Sequence, residues 1–327
     1  MKKTLYTMNI DNYAPGIRAI TYPLLKHFAR KCGAEFYEIT ERKWPDWPIP
    51  YETFQIYDLM LERHDDWAIW IDADALVNPE TPDWTDYIPT NTCAQNGHDP
   101  APIRWQYDEY FRRDGRHISS CNWHAAVPYD CRDFFRPLDD LTLDQALERI
   151  SATIPEVKGT CQAPHLISDY TVSRNIARFG LRYMNFVDIE KQIFPAGGTE
   201  FYWHGYTIPD AEKIDQMLIC LNRWLGGLGR YQKHFMGWDD ETSYRMQRRL
   251  SVARARAEMK TFYEETKKHL INCREQDLTA QAVEYVKNKV ATLAKDGQTI
   301  TADDIADDIE RFVEASICSV DSPSVIP

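Results

Sequence analysis

Long apolar runs are what this chain most plainly lacks. None of its 327 residues belongs to a stretch approaching the roughly 18 to 20 apolar positions that a membrane-spanning helix needs, so no span is expected. The opening MKKTLYTMNIDNYAPG has two lysines but no apolar core segment before Asn9 and Asp11, and a secretory leader is not expected either. Paired cysteines are missing as well. The eight present (Cys32, Cys93, Cys121, Cys131, Cys161, Cys220, Cys273 and Cys318) form no C-x-x-C and keep no regular spacing. That argues against a zinc site or a disulfide framework and for reduced thiols in a cytoplasm. Positive charge is in short supply: 38 Lys and Arg face 50 Asp and Glu, for a net charge of −12. Bulk attraction to nucleic acid is thereby excluded, though a local basic face is not. Internal repeats and low-complexity segments are absent too.

What is present is a globular composition, 43% hydrophobic and 13% aromatic, in a chain long enough for one large domain with a helical appendix. Strand patterns at 3–10, 34–40 and 67–71 alternate with helical patterns at 17–32 and 52–62. The first helix stops at Gly33, and the proline-rich WPDWPIP (44–50) forms a loop. Such β-α-β alternation builds a parallel sheet with helices on its faces. Further strands are expected at 119–127 and 181–187, and helices at 142–154 and 168–180, with Ser168 or Asp169 near the N-cap of the latter. From 211 onwards the pattern is helical, at 211–225, 239–270, 278–295 and 302–317. The implied organisation is a domain at 1–210, a helical region at 211–320 and a loose tail at 321–327.

The sharpest feature is WAIWIDADALVNP (67–79). An apolar strand ends in two acids one residue apart, Asp72 and Asp74, which on an extended chain would share one side. Ligands of parallel sheets gather at the carboxyl ends of the strands. Two carboxylates converging there call for a cation between them, and a hard divalent ion such as Mn²⁺ or Mg²⁺ suits oxygen donors. A strand-end loop with a capping Asp is the plainer alternative.

The segment YDLMLERHDDWAIWIDADALVNP resembles the core of nucleotide-sugar glycosyltransferases of the GT-A fold, in which a helix, an apolar strand and D-x-D follow in this order. TYPLLKHFARKCGAEFYEIT is similar to the first helix and second strand of the same enzymes, above all the retaining galactosyl-, xylosyl- and glycogenin-like families. The likeness continues to about residue 208. SSCNWHAAV stands where the family has a sugar-contacting strand, with Asn122-Trp123-His124 in place of the usual Asn-Ala-Gly or Asn-Ser-Gly. SDYTVSRNIARFGLRY resembles the helix that usually opens with Asp-Gln, which places Ser168 and Asp169 at those positions. The literal Asp144-Gln145 stands too early and is read as a decoy. TEFYWHGYTIP resembles the family's late His-Gly segment.

The resemblance implies an α/β, Rossmann-like, mostly parallel mixed sheet with helices on both faces and a C-terminal helical extension. It implies a metal site of Asp72, Asp74 and His204 holding Mn²⁺ or Mg²⁺, with Asp169 as the catalytic carboxylate. Nucleotide contacts fall to Thr7, Asn9, Tyr13, Arg18, Gln55 and Ala73. Sugar or acceptor contacts fall to Asn122, Trp123, His124, Ser168 and Gly205. The implied activity is transfer of a hexose or pentose from a UDP- or GDP-sugar donor to an acceptor hydroxyl. Trp44, Trp47, Trp105, Trp123 and Trp203 offer stacking surfaces. The acceptor is a glycan, a small molecule or modified DNA. In the last case Arg245, Arg248 and Arg249 of the arginine-rich stretch 244–260 would meet the anionic acceptor, although such a stretch also suits a solvated helix face. Two other readings stand beside this one. A nucleotidyltransferase or nucleotide-sugar hydrolase would be expected to carry a glycine- and basic-rich N-terminal loop, which MNIDNYAPGIR is not. A non-catalytic binding module would keep the fold and not need the acids.

Overall fold

An apolar strand that does not alternate with polar residues must be covered on both faces, and WAIWI is such a strand. The structure, a computed structural model, describes residues 1–97, 109–116, 120–153, 163–193, 201–205, 208–228 and 240–272. The expected helices at 278–295 and 302–317, the tail at 321–327 and Trp105 lie outside them. The described residues divide into two compact units, Met1–Lys213 and one beginning at Ile214.

The first unit is built on strands β1 (Lys3–Met8), β2 (Ala34–Ile39), β3 (Trp67–Ile71), β5 (Thr92–Gly97), β6 (Ser120–Pro128) and β7 (Arg182–Asn185). They form one sheet in the order β2-β1-β3-β6-β5-β7. Only β6 runs against the rest, pairing antiparallel with β3 and β5 while the other ladders are parallel. A second, two-stranded sheet joins β4 (Ala75–Val77) to β8 (Tyr202–His204).

Every residue of β3 is buried. Its alternate side chains feed two separate cores. Trp67, Ile69 and Ile71 pack with Leu25 and Phe28 of α1 (Pro15–Lys31) and with Phe186 and Ile189 of α6 (Phe186–Ile193). Ala68 and Trp70 pack with Ile56 and Met60 of α2 (Gln55–Arg63) and with Ile167 and Tyr170 of α5 (Ile167–Arg178). Each large apolar side chain so enclosed contributes about 1.5 to 3 kcal/mol. Helices therefore cover both faces of the mixed sheet, and the fold class is α/β.

Local chemistry sets the ends of the elements. α1 opens with Pro15 in its first turn, where the missing N–H costs nothing, and Gly33 follows it at φ 62°. Helix α4 (Leu143–Thr153) is entered through a reciprocal cap: Gln145 N–H donates to Thr142 Oγ1 and Thr142 N–H to Gln145 Oε1. Gln145 thus serves its own helix. The strand expected over 181–187 ends early because Asn185 Oδ1 accepts the N–H of Val187 at 3.0 Å, and α6 begins at Phe186. A short helix α3 (Glu109–Asp114) stands between β5 and β6 in the chain.

Helix α7 (Asp210–Leu225) contains the division between the units, and α8 (Asp240–Asn272) belongs to the second. Within that second unit Arg249 Nε donates to Asp215 Oδ1 at 2.6 Å and Arg256 lies 3.7 Å from the other oxygen. Arg245 is 4.0 Å from Glu241 on the exposed surface. Among the described residues, no helix is long and apolar enough to cross a membrane. The described cysteines (Cys32, Cys93, Cys121, Cys131 and Cys220) are all free thiols.

Candidate active site

β3 stops at Ile71, and the chain turns rather than continuing extended. Asp72 N–H donates to the Trp123 carbonyl of β6 at 2.8 Å, and Ala75 N–H closes back on the Asp72 carbonyl at 3.1 Å. The carbonyl of Ala73 accepts from Thr21 Oγ1 of α1. This corrects the expectation from strand periodicity: the two acids converge because the turn folds them together.

The turn feeds β4, whose antiparallel ladder with β8 sets Ala75 opposite His204. His204 is thereby delivered to a turn 130 residues earlier in the chain. Its Nε2 lies 3.2 Å from Asp74 Oδ1 and 4.0 Å from Asp72 Oδ2. One donor atom from each of Asp72, Asp74 and His204 falls within 4.8 Å of the others. Trp123 stacks on the His204 ring, centroids 5.0 Å apart and planes at 14°, which fixes the imidazole.

Asp74 has further partners. Lys213, 6% exposed, donates from Nζ to Asp74 Oδ2 at 2.6 Å, and the Tyr13 hydroxyl donates to the same oxygen at 3.1 Å. Burial alone would raise the Asp74 carboxyl. The hydrogen bond and charge of His204, together with Lys213, outweigh it and hold the group well below the carboxylate range. Asp72 behaves oppositely: desolvation, then the neighbouring charges of Asp74 and Asp169, push it well above that range. Two carboxylates of which one resists ionising, closed by an imidazole, are a donor set that a divalent cation fits.

These groups line a cavity of about 420 Å³, a size typical of small-molecule sites. Asp169, in the first turn of α5, also lines it. No side chain caps that helix, whose N-cap is Leu166. Asp169 Oδ1 instead accepts the N–H of Asn122 from β6 at 2.6 Å. Burial raises its carboxyl to about 7, against the pull of that hydrogen bond. Asn122 is 6% exposed, lines the cavity, and has no hydrogen-bond partner among the described residues for either its amide oxygen or its nitrogen.

Of the residues expected from the sequence, the cavity wall brings together Tyr13, Asp72, Ala73, Asp74, Asn122, Trp123, Ser168, Asp169, His204 and Gly205. Thr7, Asn9, Arg18, Gln55 and His124 are not on that wall, although Met8 and Ile10, the neighbours of Thr7 and Asn9, are. Arg18 donates to Asn12 Oδ1 and to the Tyr13 carbonyl, bracing the loop that carries Tyr13. Gln55 is held by the Glu41 carbonyl and Glu52. His124 is fully buried, stacked on Phe186 and near Tyr202, and burial keeps its imidazole well below its ordinary value. Arg245, Arg248 and Arg249 lie on α8 in the second unit.

Sequence reasoning missed Lys213, His165 and the apolar edge of Ile49, Pro50 and Ile208, all on the cavity wall. One signal for Lys213 existed: it falls four residues before Met217 and eight before Leu221, on the buried stripe of α7. Gly205 was read as allowing close approach of a ligand. Its own surroundings already demand glycine, because a Cβ there would stand 2.6 Å from Trp203 Cη2 and 3.2 Å from Ile208 Cδ1. Gly205→Ala is therefore expected to displace the Trp203 indole and cost about 1 to 3 kcal/mol in chemical denaturation. An unchanged unfolding midpoint would contradict this packing.

No known family model matches the chain, and no curated protein matches it. Among solved structures it is similar to a glycosyltransferase involved in the glycosylation of the major capsid of PBCV-1, at 14% identity and TM-score 0.39, covering 67% of this chain and 100% of that one. It is also similar to the galactosyltransferase LgtC in complex with donor and acceptor sugar analogues, at 10% identity and TM-score 0.31, covering 56% and 73%. A third is the glycosyltransferase GlyE of Streptococcus pneumoniae, at 12% identity and TM-score 0.32, covering 64% of this chain and 55% of GlyE.

Proposed function

We propose that this chain is a metal-dependent glycosyltransferase that moves a sugar from a UDP- or GDP-sugar to an acceptor hydroxyl, with retention at the anomeric carbon. The observation that carries the reading is the meeting of Asp72, Asp74 and His204 in the wall of a cavity that Asp169 and Asn122 also line. Asp72, Asp74 and His204 would hold Mn²⁺ or Mg²⁺, which when bound supplies a Lewis acid for the diphosphate leaving group.

The chain's own residues define the rest. Tyr13, Met8, Ile10, Ile49 and Pro50 give the nucleoside an aromatic and apolar bed. Lys213 contributes a second positive charge where the leaving diphosphate develops negative charge. The free amide oxygen and nitrogen of Asn122 match sugar hydroxyls, each of which can donate and accept. Leaving both groups unsatisfied in the bound state would cost about 1 to 3 kcal/mol each, so the site favours a polyhydroxylated ligand over an apolar one. Asp169, oriented by the Asn122 N–H, steadies positive charge at the anomeric carbon when ionised.

A neutral glycan or small molecule suits the acceptor better than DNA, because, of the arginines that would meet an anionic acceptor, Arg249 is engaged by Asp215 and Arg245 lies 4.0 Å from Glu241. The test is to incubate the protein with Mn²⁺ and a panel of UDP- and GDP-sugars and follow release of nucleoside diphosphate by mass spectrometry. Release with one donor class is expected. Neither turnover nor metal-dependent binding with any donor would overturn the reading.

A further inference from the structure

Asp74 divides its two oxygens between different partners. Oδ1 faces the His204 imidazole at 3.2 Å, and the same Nε2 lies 4.0 Å from Asp72 Oδ2. Oδ2 takes the Lys213 ammonium at 2.6 Å and the Tyr13 hydroxyl at 3.1 Å. Lys213 and the side chain of Asp74 are each about nine-tenths or more buried, at 7% and 10% side-chain exposure, so their attraction is weakly screened. A divalent ion bound through Oδ1 would share one carboxylate with an ammonium held on the other oxygen. Two cations on one buried carboxylate repel strongly in such surroundings.

We infer that Lys213 is an internal counter-cation that competes with the divalent ion for Asp74, so that the site binds the free ion weakly and binds it tightly only together with an anionic ligand. This rests on the proposed diphosphate donor for the identity of the anion, but the competition at Asp74 does not. The anion supplies the negative charge that lets ammonium and metal coexist, and the Tyr13 hydroxyl keeps Oδ2 turned away from the ion in the meantime. Ion and nucleotide binding are then coupled through one lysine, and by linkage each raises affinity for the other by the same factor.

The experiment is titration of Mn²⁺, read by the electron paramagnetic resonance signal of the free ion, into wild-type protein and into Lys213→Met, Lys213→Gln and Lys213→Arg, each with and without UDP. A thermal melt of every sample shows that it is folded. The neutral variants are expected to bind Mn²⁺ alone at least about tenfold more tightly than wild type, and the arginine variant to stay near wild type. UDP is expected to tighten Mn²⁺ binding at least about tenfold in wild type and by less in the neutral variants. Folded neutral variants that bind Mn²⁺ alone no better than wild type would overturn the inference. Should neither neutral variant fold, the wild type decides, because ion affinity that is as high without UDP as with it would overturn the inference. UDP that fails to bind the wild type at all, while the neutral variants still tighten on Mn²⁺, would remove the donor reading and leave the competition standing.

Discussion

Asp74→Asn is expected to abolish Mn²⁺ binding, to lower sugar transfer by about a thousandfold or more, and to destabilise the ion-free protein by about 3 to 5 kcal/mol. The first two effects come from removing the anionic donor that His204 and Asp72 surround. The third comes from Lys213. Its ammonium is buried at 6% exposure against Asp74, and the amide of asparagine offers a dipole in place of a full charge. Breaking half of a buried pair strands the other half, which costs more than the pair itself contributes. The double variant Asp74→Asn, Lys213→Met is accordingly expected to recover most of the lost stability, since neither charge remains, and to recover none of the ion binding. Urea denaturation of the four proteins in the cycle, with calorimetric Mn²⁺ titration of each, separates the two roles. A single Asp74→Asn variant that still bound Mn²⁺ like wild type would remove Asp74 from the ligand set. One that kept full stability would show that Lys213 finds another partner.

How much of this was legible beforehand depends on how local the cause is. The apolar run Trp67–Ile71 announces a strand covered on both faces because burial acts residue by residue, and both cores confirm it. The acids after it were read as a candidate cation site, and the reason assigned to their convergence was wrong: hydrogen bonds from Asp72 to Trp123 and from Ala75 to Asp72 make a turn that strand periodicity does not contain. Strands β4 and β8, three residues each, were invisible, since neither has the length to show a pattern and their ladder joins distant parts of the chain. His204 was found only through resemblance for the same reason. Lys213 sits in DAEKIDQM, which reads as the acidic, solvated start of a helix, and only its place on the apolar stripe marks it as buried. Asn122 and His124 have the same parity on one strand, but Asn122 reaches the cavity while His124 is enclosed by Phe186, Tyr202 and Trp84. A motif assigns both to the sugar, and depth along the strand separates them.

Asp169→Asn is expected to remove a pH dependence that the wild type carries in its stability. Burial raises the folded-state carboxyl from its ordinary value of 3.8 to about 7. Between those values the folded chain keeps a proton that the unfolded chain has released, so wild-type stability falls as pH rises from about 4 and levels off above about 7. The interval corresponds to about 4 kcal/mol when fully developed. Asparagine retains the oxygen that accepts the Asn122 N–H and carries no ionisable group, so its stability should be flat across this range from this source. Without added divalent ion, the variant is expected to melt well above wild type at pH 8 and close to it near pH 4.5. Transfer should change in the opposite sense, because the ionised carboxylate is the form that steadies positive charge at the reacting carbon. Wild-type activity is expected to rise through pH 7, and the variant to be slow and without that rise. Parallel melting of the two proteins from pH 4.5 to 8 would mean that Asp169 is solvated in the free protein. A preserved rise in activity through pH 7 would move the catalytic carboxylate elsewhere in the cavity.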